Sequence, residues 1–188
     1  MTGARHDMRA LFLTTLAALS VSQASAADIS WKTEFMAPGS LMVMEDEAGG
    51  VISHVARGLE DDLYRFDTYE GQSDRAVFVG AYFTNDRGEV IRSLSADGEM
   101  TRFEPYRCAR TLGMCSYVIV HSDGFRANRR RLTQETRMGI AWKEWGLDGL
   151  VASGAQELDK IGATKTGWSL DHISGTRTHS RRILMAVR

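Results

Sequence analysis

The chain has 188 residues, two prolines and a formal net charge of −1. No linker, low-complexity run or coiled-coil heptad interrupts it, which excludes a multi-domain string or a fibrous rod. One compact domain with a substantial core is the economical reading.

The first residues have the order of a secretory signal. Arg5 and Arg9 give a positive start, Ala10 to Leu19 is apolar, and Ala24 and Ala26 are small residues at the −3 and −1 positions of a cleavage site. Ser25 and Ala27 form the alternative pair. An apolar core of about ten residues is short of the roughly 20 that span a bilayer. Residues 1–26 are therefore expected to be a signal peptide and residues 27–188 a single exported domain, periplasmic or secreted. No cysteine follows the apolar run, which speaks against a lipid anchor. No later apolar segment reaches spanning length, so the mature chain is expected to lack a transmembrane segment. Export makes nucleic acid an unexpected partner.

From Leu41 onward the dominant period is two. LMVME and VISHVAR flank Gly49-Gly50, DLYRFDTY follows, and AVFVGAYFT leads through Asn85-Asp86-Arg87-Gly88 into EVIRSL. Three further strand pairs surround Asp97-Gly98, Asp123-Gly124 and Asp148-Gly149, a strong hairpin signal. GWSLDHI and RRILMAV complete the series. Only GAQELDKIG, residues 154–162, reads as a short helical segment, with Leu158 and Ile161 three apart. The pattern predicts a mainly-β fold of 8 to 11 strands, an antiparallel meander forming a sandwich or a barrel.

Cys108 and Cys115 are the two cysteines of the chain, with Gly113 between them. Even number, close spacing and export predict one disulfide that pins two neighbouring β segments. Closing a ring of eight residues is worth roughly 2.5 kcal/mol. Redox pairs usually show a two-residue gap, and metal sites need more convergent ligands.

Charge is unevenly spread. Residues 28–105 carry 16 acidic and 7 basic side chains, whereas residues 106–188 carry 7 and 14. Cross-strand pairing explains such a split internally. The functional reading is a basic surface for an anionic envelope component, such as lipid headgroups, lipopolysaccharide or polysaccharide. Its candidate residues are Arg126, Arg129, Arg130 and Arg131 in FRANRRRL. Alternation puts Arg129 and Arg131 on one face and Arg126 and Arg130 on the other, the pattern of an edge strand or exposed ribbon. Arginines on both faces also disfavour a lipid-facing barrel.

No motif marks an enzyme, a cofactor or a metal site. His121-Ser122-Asp123 lacks a nucleophile elbow, and Asp123 belongs to its turn with Gly124. Glu45-Asp46-Glu47 and Glu60-Asp61-Asp62 lack the calcium-loop pattern. Met36, Met42 and Met44 suit a core better than copper. Trp142 and Trp145 point to opposite strand faces, and with Trp31 and Trp168 they read as anchors of the fold. The expectation is a non-enzymatic envelope protein with an anionic or amphipathic partner. The alternatives are a barrel carrying a small apolar ligand and a hydrolase with a dispersed site.

Overall fold

In the computed structural model, the described residues are 36–46, 48–71, 75–159 and 164–183. Twelve antiparallel strands form a closed barrel in which each strand pairs with its chain neighbours and the last returns to the first. The strands are β1 Leu41–Asp46, β2 Val51–Glu60, β3 Leu63–Glu70, β4 Val77–Thr84, β5 Val90–Ser95 and β6 Met100–Glu104. The circuit continues with β7 Gly113–His121, β8 Arg126–Thr136, β9 Gly139–Gly146, β10 Gly149–Leu158, β11 Thr164–Asp171 and β12 Arg177–Ile183. Of the two architectures the alternation allowed, the barrel is the one adopted. The Asp97-Gly98, Asp123-Gly124 and Asp148-Gly149 turns all join successive strands.

The expected helical segment is a correction. Residues 154–158 form the end of β10, paired on one side with β9 and on the other with β11. Ala, Gln and Glu favour a helix weakly, and two flanking strands that accept the backbone bonds override that preference. Residues 160–163, like the expected signal peptide, lie outside the described residues.

Register identifies the inner face. Directly opposed residues share a face, so Tyr117, Arg129, Arg131, Trp142, Glu144 and Gly154 lie together across β7 to β10. The same face continues through Ala56, Phe66, Tyr82 and Phe103. Ala56 and Phe66 are each 1% exposed, and this face lines the lumen. A twelve-stranded wall is wide, and its interior divides into two apolar clusters rather than one. Met36, Ala56 and Phe66 pack with Tyr64 and Tyr82, while Phe103, Cys108 and Tyr117 pack with Tyr106, Cys115 and Ile119.

Alternate hairpin turns lie at the same end, here called upper for the turn after β1 and lower for the turn after β2. At the lower end, residues 105–112 connect β6 to β7 and carry Cys108, which is fully buried and bonded to Cys115 with Cα atoms 6.0 Å apart. The bridge ties this connection to the start of β7 and does not join two strands, contrary to expectation. Close packing also explains one glycine: a Cβ at Gly154 would lie 2.5 Å from the Trp168 carbonyl oxygen and 2.7 Å from the Trp142 ring.

Candidate functional site

The barrel wall separates the four candidate arginines. Along β8 burial alternates, with Arg126, Asn128 and Arg130 exposed outside and Ala127, Arg129 and Arg131 turned inward. Strand β8 is paired on both sides, so it is neither edge nor ribbon. Outside, Arg126 Nη2 donates to Glu104 Oε2 at 2.6 Å. Inside, Arg131 Nη1 approaches Glu144 Oε2 at 3.5 Å, and Arg129 Nε lies 4.0 Å from Glu144 Oε1. The four residues therefore do not form one surface.

Arg131 is 5% exposed and centres a polar group within the lumen. Its guanidinium carbon lies 4.1 Å above the Trp142 ring, within the cation–π range. Its Nε donates to Thr133 Oγ1 at 3.3 Å. Burial lowers the Arg131 pKa to about 10, and the nearby Arg107 charge adds to this while Glu144 opposes it. Burial pushes the Tyr117 phenol up, with Glu144 adding to the rise.

A second buried carboxylate anchors the lower end. Glu89 is 1% exposed, and its Oε1 accepts from the Arg110 backbone N–H at 2.7 Å and from Thr111 Oγ1 at 2.9 Å. These bonds hold the 105–112 connection against the start of β5. Burial lowers the Arg110 pKa to about 10, opposed by Glu89.

A cavity of about 820 Å3 lies against the wall formed by β9 to β12 and β1. Ile140, Met138 and Trp168 supply apolar lining, while Asp46, Gln156, Glu157, His179 and Ser180 supply polar groups. All five strands of this wall contribute, which is why no contiguous motif announces it.

The remaining candidates are dispersed. His121 is exposed at the upper end of β7, and Asp123 accepts the Phe125 N–H at 2.9 Å, as a turn residue does. Met42 and Met44 share the inner face of β1 with His54 and Ile52 opposite, and Met36 is in the apolar cluster. Trp142 faces inward and Trp145 outward, since Thr133 and Arg130 are their respective partners. Among the described residues no group of three or more His, Cys, Asp and Glu side chains is placed to hold a metal ion. Among them, too, no helix is long and apolar enough to cross a membrane.

Glu144, Glu89 and Tyr117 were not singled out by the sequence. Glu144 was accessible in principle, because the register of the β8–β9 hairpin sets it opposite Arg131. Glu89 was not, since its partners lie in a connection that folds back over 21 residues. No family model, curated protein or solved structure matches the chain.

Proposed function

We propose that this chain is an exported binding protein whose barrel carries a small amphipathic molecule in the cavity beside β9 to β12. The cavity carries the reading: about 820 Å3 falls within the roughly 300–1,000 Å3 of small-molecule sites. Its lining is mixed, with Ile140 offering apolar contact and Asp46 and Gln156 offering polar groups on the same inner face. A purely apolar ligand would take water from those polar groups and return no hydrogen bond, at a cost in free energy. An amphipathic ligand avoids that cost. The disulfide and the secretory order of residues 1–26 support an oxidising destination.

Native mass spectrometry of the protein purified from its own cells tests this directly. An adduct that survives natively, disappears on denaturation and is weakened by Gln156→Ala is expected. A bare protein that also fails to retain an added lysophospholipid would refute the carrier reading.

A second reading concerns the upper rim. Three consecutive turns there carry Phe125, Leu147 and Ile173, which are 61%, 94% and 78% exposed. All three belong to the basic half, and Arg126 and Arg130 descend from the Phe125 turn on the outer face. Neighbouring tips are separated by two strands, about 10 Å. Isolated protruding tips suit a fluid lipid surface, which needs no complementary pockets, with the outward arginines near the headgroups. Sedimentation with phosphatidylcholine–phosphatidylglycerol vesicles is expected, and loss of it in the Phe125→Ser, Leu147→Ser, Ile173→Ser triple variant. Sedimentation unchanged in that variant, or none in the parent, removes this reading.

A further inference from the structure

Inside β7, β8 and β9 the hydrogen-bonding groups do not balance. The Trp142 indole Nε1 is buried with no hydrogen-bond partner, and the buried Tyr117 hydroxyl, near Glu144, makes no well-formed bond to it. An indole N–H can only donate, and a guanidinium carries five N–H donors and no acceptor. Arg131 directs one N–H at Thr133 at 3.3 Å and one at Glu144 at 3.5 Å, both long for hydrogen bonds. Glu144 is the carboxylate of this cluster, and it is shared between Arg131 at 3.5 Å and Arg129 at 4.0 Å. Both separations exceed the roughly 2.7–2.9 Å of a charge-assisted bond. The cluster is rich in donors and poor in acceptors.

We propose that the Tyr117–Arg131–Trp142 cluster is a binding site for one small oxyanionic group, a carboxylate or a phosphate. The three residues share the inner face of three successive strands. Arg131 lies over the Trp142 ring, and Tyr117 sits on the adjoining strand, opposite Arg129. An oxyanion supplies several acceptor atoms at once and a charge opposite to the guanidinium groups. Water supplies acceptors without the charge, and a cation or an apolar group leaves the donors unpaired. Arg107, exposed at the lower end and 5.8 Å from the Phe103 ring, adds positive potential from the open side. None of the three residues lines the cavity beside β9 to β12, so this site is independent of the carrier reading.

The test uses the Trp142 indole N–H as reporter in the full chain, its resonance assigned by Trp142→Phe. Sodium acetate and inorganic phosphate are titrated separately at fixed ionic strength, with sodium chloride as reference. A saturable shift of that resonance is expected with at least one oxyanion at millimolar concentration. Acetate alone would indicate a carboxylate ligand, phosphate alone a phosphate ligand, and both a general oxyanion site. Tyr117→Phe removes only a hydroxyl and is expected to weaken binding about tenfold, as is Arg131→Gln where it folds. The assignment is overturned if the resonance does not saturate, if chloride acts equally, or if Tyr117→Phe binds as the parent does.

Discussion

Glu45 on β1 stands directly opposite Arg181 on β12, and its Oε2 accepts from Nε at 2.8 Å and from Nη2 at 2.5 Å. This contact spans 136 residues and lies where the barrel closes. It also joins the two charge classes of the chain. Strands β1 to β6 come from the acidic stretch and β7 to β12 from the basic one, so each seam between the halves sets unlike charges together. Arg126 and Glu104 do the same at the other seam. Part of the charge asymmetry is thus consumed internally, as the simpler reading of the sequence held.

The seam contact is nevertheless weak in energy. The Arg181 side chain is 69% exposed, and exposed ion pairs contribute about 0–1 kcal/mol. Arg181→Ala is expected to lower the unfolding free energy by less than about 1 kcal/mol, with the difference vanishing in high salt. Urea titrations at two salt concentrations check this. A loss of several kcal/mol would mean that closure depends on this pair more than on the backbone ladder between β1 and β12.

The disulfide contributes more. Replacing both Cys108 and Cys115 by serine opens a ring of eight residues, worth roughly 2.5 kcal/mol. It also places one hydroxyl in the fully buried position of Cys108, beside Phe103 and Tyr117. A fall in denaturation midpoint is expected together with faster proteolysis within residues 105–112. Unchanged proteolysis would show that the Glu89 bonds to Arg110 and Thr111 secure the connection alone.

Asp67 lies on the outer face of β3, where Arg57 Nε and Arg65 Nε each donate to it at 2.7 Å. Burial raises its pKa, but the bonds from Arg65 and Arg57 outweigh this and hold it below the ordinary carboxylate value. A depressed carboxylate contributes stability above its unfolded pKa of about 3.9, and that contribution is lost as pH falls through the folded value. Asp67→Asn is expected to cost about 1–3 kcal/mol near neutrality and progressively less below pH ~4. Equal losses at pH 7 and pH 3 would contradict the charge-based account.

Much of the fold was legible because the barrel is built from short-range hairpins. Eleven of the strands overlap segments readable from alternation and Gly-containing turns, with β12 beginning at Arg177 ahead of RRILMAV. The twelfth, β10, follows Asp148-Gly149, and its last five residues lie in the segment that reads as a helix. Its Ala-Gln-Glu-Leu run carries no β-branched residue, and only the neighbouring strands make it extended. Alternation also sorted Arg129 and Arg131 from Arg126 and Arg130. What it lacked was closure. An open sheet has no place for inward arginines except an exposed face, whereas a twelve-stranded lumen can hold them with a partner carboxylate such as Glu144. The cavity was not legible either, since Asp46, Ile140, Gln156 and Ser180 come to one face only when β12 finds β1.

The last expectation concerns His54, which faces the lumen on β2. Its Nδ1 is 3.1 Å from Thr68 Oγ1, and its ring meets that of Tyr82 edge-on at 5.4 Å. Burial lowers its pKa to about 4, because charging the ring there forfeits hydration without gaining an opposite charge. The unfolded chain takes up this proton near pH 6.5, while the folded chain resists until about pH 4. Between those values the unfolded state binds more protons, so stability rises with pH across the window and is flat in this respect above it. A shift of this size corresponds to at most about 3 kcal/mol lost between neutrality and pH 4. His54→Gln retains a hydrogen-bonding side chain for Thr68 and removes the titration. Its stability is expected to fall less steeply than that of the parent between pH 6.5 and 4, with the two curves parallel from pH 7 to 8. Parallel curves across the whole range would show that His54 reaches water or a counter-charge in the folded barrel, and would assign the acid sensitivity to other groups.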